Sequence, residues 1–381
     1  MFFLPRFLRP VGNRISLKSH KFDSHQFAPF KISFFQSGTS ALAAAILASI
    51  KVKGYQAEQA EVILPAYGCP DIISATILAG AKPVLVDFEE NLPWMSLQQL
   101  KKKISDNTVA VIAINFLGIP ERMTELKQIL QPLKITLIED SAQGFPIQDA
   151  NRYWQGDINI VSFGRGKPVN LLGGGAVFCM QEDLNQALPK FTVEQESLSA
   201  SMKYQLKIFI YNLTINPILY ALLVRLPGLK IGQTLFKPPQ NIEAISKSNL
   251  DRLSTNLELY RQQNGIAQHI NHGLISLHQH QLTDLTTTTD FDLNKPLLRY
   301  PLLIKSTKLR DQFYQENKKF GLSLMYPVAL NKIKGLEQIV DAETCYPNAE
   351  NFASRLITLP VHNDVTDNDI EILKQSLFRN R

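Results

Sequence analysis

The chain has 381 residues, 45% of them hydrophobic and 19% charged, enough for a large core divided between two domains. Lys plus Arg number 40 against 34 Asp plus Glu, a net +6 that suits an acidic small molecule or plain solubility; no basic stripe with interleaved aromatics, helix-turn-helix pattern or paired Cys/His spacing points to nucleic acid. Cys69, Cys179 and Cys345 lie far apart, which offers neither a disulfide framework nor a zinc site and suits a reducing cytoplasm.

In chain order, the apolar opening is broken by Pro5, Arg6 and Arg9 and lacks the continuous core of a signal peptide. Ser37-Gly-Thr-Ser-Ala-Leu42 then precedes an alanine-rich helix, Ser40 to Ile50. Its small and hydroxyl residues suit a phosphate at the helix start, and they serve equally as an ordinary N-cap. Strands are expected at Glu61 to Leu64, Lys82 to Asp87, Thr108 to Asn115, Lys134 to Glu139, Ile158 to Phe163 and Gly174 to Cys179. Helical spacing separates them at Asp71 to Ala79, Leu97 to Ile104 and Thr124 to Leu130. That alternation predicts an α/β fold with a mostly parallel sheet covered by helices, its ligand site beyond the carboxyl ends of the strands.

Next comes an apolar helical segment, 205–229, with an uncharged run from Ile208 to Val224 interrupted by Asn212, Asn216 and Pro217. Its 17 residues stand at the lower end of the roughly 17 to 25 needed to cross a bilayer. It reads as a helix buried in the protein or an interface, as a segment lying on a membrane surface, or as a span. A polar helical stretch follows from Asn241 to about Leu277, where His269, His272, His278 and His280 suit a solvated face better than a metal site. From Leu297 onward the order strand, helix (Thr307 to Phe320), strand (Leu356 to Leu359) and last helix (from Thr366) predicts a small C-terminal α/β domain. With Pro238-Pro239 as the hinge, the division is a large domain, 1–239, and a small one, 240–381.

Two residues carry the chemistry. Asp140 ends the apolar stretch Ile-Thr-Leu-Ile-Glu-Asp, and Lys167 lies 27 residues on in Ser162-Phe-Gly-Arg-Gly-Lys167. Such a lysine can form an imine with an aldehyde cofactor, pyridoxal phosphate, whose pyridine nitrogen the aspartate would hold protonated. A Walker-type loop fails at Val161 and Pro168, and a dinucleotide fingerprint fails at Val169. Tyr67, in Leu64-Pro-Ala-Tyr-Gly-Cys-Pro70, could face a flat ring or simply pack.

Together and in order, these pieces resemble the DegT/DnrJ/EryC1/StrS family of pyridoxal-phosphate aminotransferases. The matching stretches are Ser37 to Leu42, Ala79-Gly-Ala-Lys-Pro-Val-Leu-Val-Asp87, Asn115-Phe-Leu-Gly-Ile-Pro120, Ile138-Glu-Asp-Ser-Ala-Gln143, Gly156-Asp157 with Ser162-Phe163 and Lys167, and Gly173-Gly-Gly-Ala-Val177. Tyr346-Pro-Asn-Ala-Glu350 and Ile357-Thr-Leu-Pro-Val-His362 continue the similarity near the end. The resemblance implies the aspartate-aminotransferase-like type I fold and a homodimer with shared active sites. It further implies that Lys167 holds the cofactor, that Asp140 pairs with the pyridine nitrogen and that Gln143 approaches the ring hydroxyl. Gly38, Thr39, Ser40 and Ser162 would hold the phosphate, and Tyr67 would stack, although the family's aromatic residue often falls nearer Cys69.

The activity so implied is transfer of an amino group, with glutamate as donor, to a keto-sugar, possibly nucleotide-linked, in cell-surface polysaccharide or secondary-metabolite biosynthesis. Alternatives are a lyase or dehydratase using the same cofactor, or a non-catalytic cofactor-binding protein at a membrane surface touching it through 208–224. Two departures bear on the substrate. Leu172-Gly-Gly-Gly175 stands where many relatives read Gly-Glu-Gly-Gly, and no Gly-Tyr-Asn-x-Arg stretch follows.

Overall fold

Short apolar runs alternating with helices build a seven-stranded sheet. The computed structural model describes residues 7–147, 149–193, 195–225, 236, 241–262, 267, 270, 282–340 and 343–379. The strands are β1 (Lys31–Phe35), β2 (Glu61–Pro65), β3 (Lys82–Val86), β4 (Thr108–Ile114), β5 (Thr136–Asp140), β6 (Ile158–Ser162) and β7 (Gly175–Cys179), in the spatial order β1-β7-β6-β5-β4-β2-β3. Neighbours from β3 to β6 pair in parallel, whereas β7 runs antiparallel to both β6 and β1. The carboxyl ends of β1 and β6 therefore meet at the start of β7, where Phe35 and Ser162 are both register partners of Gly175.

Helices α1 (Gly38–Lys53), α2 (Asp71–Leu78), α3 (Leu97–Lys103), α4 (Met123–Leu130), α5 (Ala150–Tyr153) and α6 (Glu182–Ala187) cover the sheet. α1 packs on β4, β6 and β7 on one side and on α2 and α6 on the other. A helix enclosed all round must be apolar all round, and Ala41 to Ile46 are all buried. Every residue of β4 is buried as well, which explains its unbroken apolar run. β1 escapes the sequence reading because only Phe35 in it is fully buried. Its edge is closed by chain some 200 residues away, through Gln36 N–H to Glu243 O at 3.0 Å and a bridge from Phe35 to Ala244.

The apolar segment forms α7 (Leu198–Thr214) and α8 (Pro217–Leu223), bent by 95°. Asn216 caps α8 by accepting from Ile218 N–H at 3.0 Å, and Pro217 takes the first helical position. Ile208, Tyr211, Ile215 and Ala221 are buried. Leu198 (78% exposed), Met202, Leu206, Phe209 (55%), Ile210 and Leu213 of α7 face outward, as do Ile218, Leu219 and Leu222 of α8. Among the described residues, no single helix is long and apolar enough to cross a membrane.

α9 (Lys247–Arg261) follows, its Leu253, Leu257 and Tyr260 packed with Phe27, Phe145, Trp154 and Phe178 against the large sheet. The expected hinge at Pro238-Pro239 and all four histidines of the polar stretch lie outside the described residues. Beyond them, β8 (Leu282–Asp284), α10 (Leu285–Thr288), β9 (Arg299–Ile304), α11 (Thr307–Asn317), α12 (Pro347–Arg355), β10 (Leu356–Pro360) and α13 (Asp367–Arg379) form a small unit around an antiparallel sheet in the order β10-β9-β8.

Two stretches singled out by resemblance meet where the sheets are joined. Asp87, fully buried just past β3, accepts from Ala349 N–H at 2.8 Å and Asn348 N–H at 3.1 Å, capping α12 from outside its own chain segment. Asn348 Nδ2 donates back to Phe88 O at 2.8 Å. Asp87→Ala strands those buried N–H groups, so urea unfolding should show a loss of about 2 to 4 kcal/mol; a loss below about 0.5 kcal/mol contradicts this linkage.

Candidate functional site

The start of α1 forms one wall of the site. Ser37 caps the helix, its Oγ accepting from Ser40 N–H at 3.0 Å, so the first turn points its remaining N–H groups past Gly38 and Thr39. This turn sits hard against the sheet. A Cβ on Gly38 would lie 2.6 Å from Ser162 Cβ, and one on Gly175 would lie 2.5 Å from Ser37 O. Only glycine permits that approach, and it brings the Ser162 hydroxyl beside the positive end of a 16-residue helix.

Asp140 closes β5 and is 6% exposed. Of its two carboxylate oxygens, only Oδ1 accepts a hydrogen bond among the described residues, from Ala142 N–H at 2.9 Å. Its neighbours are tied down from behind. Glu139 accepts from Asn115 Nδ2 at 2.7 Å, Gln155 N–H at 2.7 Å and Gly156 N–H at 2.8 Å. Ser141 Oγ accepts from Asn115 Nδ2 at 2.8 Å and from Trp154 Nε1 at 3.1 Å. Strand alternation sends Glu139 and Ser141 into this network and leaves Asp140 facing the opposite side. Burial, chiefly, raises the Asp140 carboxyl above its ordinary value of 3.8; the Ala142 N–H and the positive charge of Lys167 oppose the rise, and Asp71 adds to it.

Lys167 rides on the loop between β6 and β7. That loop is fastened by Leu171 N–H to Phe163 O at 2.8 Å, Phe163 N–H to Gly174 O at 2.8 Å and Gly174 N–H to Gln36 O at 2.8 Å. Outside residues hold it too: Asn249 Nδ2 of α9 donates to Leu171 O and Gly173 O, each at 2.9 Å, and Tyr204 of α7 donates to Leu171 O at 2.7 Å. Lys167 itself is half-buried and has no ion pair within 4.0 Å among the described residues. It lines a cleft with Val11, Gly12, Asn13, Leu298, Val361 and His362. The chain start reaches this place because Arg9, itself buried, donates to Gly12 O at 2.7 Å and Ile215 O at 2.9 Å and pairs with Asp364. His362 Nε2 lies 2.8 Å from Arg9 O.

Gln143 and Tyr67 both meet Tyr326. Gln143 accepts from Leu117 N–H at 2.9 Å and donates to Tyr326 Oη at 3.2 Å. The Tyr67 ring is fully buried among Phe88, Phe116, Tyr326 and Phe352, and its hydroxyl donates to Tyr326 O at 3.0 Å. Cys69 is hydrogen-bonded to Tyr326 and lies within the influence of the Lys167 charge; burial pushes its thiol up to about 12. The structure thus places Gly38 against Ser162, and Lys167 within charge range of Asp140 and Cys69. Tyr67 it encloses in an aromatic cluster. Sequence reasoning missed Tyr326, Asn249, Tyr204 and the 11–13 segment, for none of them sits in a recognisable local pattern.

The fold is that of the type I pyridoxal-phosphate aminotransferases. The sequence profile of the DegT/DnrJ/EryC1/StrS aminotransferase family matches residues 19–231 and 240–377, and the chain belongs to that family. It is 27% identical over 161 residues to the dTDP-4-amino-4,6-dideoxy-D-glucose transaminase of Shigella dysenteriae, covering 42% of each chain. To the GDP-perosamine synthase of Escherichia coli O157:H7 it is 25% identical over 244 residues, covering 64% of each, so the matches span less than two thirds of both relatives. A GDP-perosamine synthase of Vibrio cholerae is 21% identical over 82% of this chain and 77% of its own. Among solved structures, the sugar aminotransferase CalS13 from Micromonospora echinospora superposes with a TM-score of 0.67 at 16% identity, over 92% of this chain and 87% of that one. NtdA from Bacillus subtilis, solved with bound cofactor PMP, gives 0.67 at 18% identity over 91% and 72%.

The raised Asp140 carboxyl has a checkable sign. The folded protein without cofactor holds that proton more tightly than the unfolded chain does, so Asp140 contributes stability below pH 3.8 that is lost as pH rises through its folded value. Asp140→Asn stays neutral throughout. Its melting temperature, measured without cofactor, should match the parent's in acid and equal or exceed it near neutrality; a variant that melts well below the parent only near neutrality contradicts the assignment.

Proposed function

We propose that the chain is a pyridoxal-phosphate aminotransferase moving an amino group from glutamate to a keto-sugar, nucleotide-linked as in the relatives' names, for cell-surface polysaccharide or secondary-metabolite synthesis. The observation that carries this reading is Lys167, free of any ion pair among the described residues, standing in a cleft within charge range of the buried Asp140.

The residues present fit the cofactor. The cradle at Gly38 and Gly175 leaves no room for a Cβ but exposes helix N–H groups, and Asp140 keeps one oxygen without a hydrogen bond among the described residues. Pyridoxal phosphate, when bound, supplies an aldehyde for covalent capture of amines and a ring that withdraws electrons. Gly38, Thr39, Ser40 and Ser162 would hold its phosphate, and Asp140 would keep its ring nitrogen protonated. Gln143, its carbonyl oxygen fixed by Leu117 N–H and one amide N–H held by Tyr326, would present its remaining amide N–H to the ring hydroxyl. Lys167, once released by the incoming amine, would carry the proton between carbon atoms as general base and acid. Tyr67 would support the ring site from within its aromatic cluster, leaving the Cys69 position closer to the ring face. The large domain 1–239 would supply the cofactor residues and the small domain 240–381 the outer wall.

We also propose a cytoplasmic homodimer with shared active sites whose outward face on α7 and α8 rests on a membrane surface. Leu198, Met202, Leu206, Phe209 and Leu213 share one side of α7, and between Glu196 and Glu243 the sequence has no acidic residue but contains Lys203, Lys207, Arg225, Lys230 and Lys237. Apolar area combined with positive charge suits anionic lipid.

Two measurements follow. Purified protein supplied with pyridoxal phosphate should absorb near the violet edge and transfer amine from glutamate to 4-keto-sugar nucleotides, and Lys167→Ala should lower turnover by at least about 1,000-fold; turnover within about 10-fold of the parent removes the lysine from the reaction. Vesicles containing phosphatidylserine should carry the protein on flotation, Phe209→Ser with Ile210→Ser should release it, and recovery of the parent wholly in the vesicle-free fraction contradicts the membrane contact.

A further inference from the structure

One helix carries both the outward apolar stripe and the fastenings of the cleft. Leu198, Met202, Leu206, Phe209 and Leu213 of α7 face outward, with Lys203 and Lys207 exposed beside them, while Ile208 and Tyr211 on its other side are buried. Among the described residues, each side-chain hydrogen bond from α7 to the rest of the chain ends on one of two segments at the Lys167 cleft. Tyr204 donates to Leu171 O of the Lys167 loop at 2.7 Å. Asn212 holds both backbone groups of Ile15, donating to its O and accepting from its N–H, each at 2.9 Å; Val11 to Asn13, just before Ile15, line the cleft. The packing repeats this pattern. Ile208, Tyr211 and Ile215 cluster with Ile15 and with Leu172 of the loop, and a Cβ on Gly12 would lie 2.4 Å from Tyr211 Oη. Arg9 ties the end of the helix to the same segment, donating to Ile215 O at 2.9 Å and to Gly12 O at 2.7 Å.

The outward stripe therefore lies one helix diameter, about 10 to 12 Å with side chains, from both cleft segments. Lipid that meets the stripe leaves the inner bonds in place. A helix that left the body to sink into the bilayer would strand the Tyr204 hydroxyl and the Asn212 amide in hydrocarbon without partners. The lipid-bound form is thus the form in which α7 holds both segments. A ligand stabilises the form it binds by mass action, and a coupling between two sites acts equally in both directions. We propose that contact of α7 with an anionic membrane surface fixes both cleft walls, so that membrane binding and cofactor binding at Lys167 strengthen each other. The enzyme is then most active when seated on lipid. This rests on the aminotransferase and membrane-contact readings above.

The test uses full-length protein, pyridoxal phosphate, and vesicles of phosphatidylglycerol mixed with phosphatidylcholine, lipids that carry no primary amine to compete for the aldehyde. Cofactor affinity is read by equilibrium dialysis and membrane affinity by flotation. The parent's apparent Kd for pyridoxal phosphate should fall by at least about 5-fold on these vesicles but not on phosphatidylcholine alone, and saturating cofactor should tighten vesicle binding by the same factor. Asn212→Ala should still float while that factor shrinks to below about 2, and Tyr204→Phe should reduce it in the same direction. A parent that floats with an unchanged cofactor Kd overturns the proposal, as does an Asn212→Ala protein that floats and keeps the full factor. If Asn212→Ala loses its cooperative melting, the parent decides alone, since a shift in one affinity without the reciprocal shift in the other contradicts the coupling. Failure of the underlying readings shows separately and takes the inference with it: a parent that never floats removes the membrane contact, and one that takes up no cofactor with or without lipid removes the aminotransferase reading.

Discussion

The close seating of the first turn of α1 on the ends of β6 and β7 sets the geometry of the whole cleft. Gly38 and Gly175 remove the two side chains that would otherwise hold helix and sheet apart. The alanine-rich body of α1 then lies flat on β4, β6 and β7, so its N-terminus, the end of β5 and the β6–β7 loop arrive at one place. A methyl group at either glycine would have to displace Ser162 or the backbone of Ser37.

Around that junction the protein keeps polar groups in the interior and answers nearly all of them. Glu139 and Ser141 are satisfied by Asn115, Trp154 and two backbone N–H groups, which fixes the backbone on both sides of Asp140. Asp140 itself is left under-satisfied, with one carboxylate oxygen unanswered among the described residues. Stability given up at such points is commonly retained for binding. The outer wall is assembled from distant chain: the 11–13 segment anchored by Arg9, and the small sheet locked to the large one through Asp87 and α12.

How far this was legible in the sequence follows from where each signal resides. The parallel strands and α1 declare themselves through local apolar runs, and Asp140 and Lys167 through their places at strand ends. β1 does not, because its pairing is completed by Glu243 and Ala244 far along the chain. Tyr326 and Asn249 are equally silent: each meets its partners, Gln143 for the one and the β6–β7 loop for the other, across a long stretch of chain, which no single run of sequence encodes. The run from Ile208 to Val224 shows its composition in the sequence but not its exposure: Phe209, Ile210 and Leu213 before the bend, and Ile218, Leu219 and Leu222 after it, face outward. For Tyr67 the sequence left packing and ring contact both open, and the four aromatic rings around it favour packing.

The central claim is that Lys167, and no other lysine, is the covalent anchor for the cofactor. Reduction of the pyridoxal-phosphate-loaded protein with borohydride, followed by tryptic digestion and mass spectrometry, tests it most directly. The account predicts a phosphopyridoxyl group on Lys167 within the peptide 166–190. A reduced adduct found on a different lysine, or no adduct in protein shown to be folded, would contradict it.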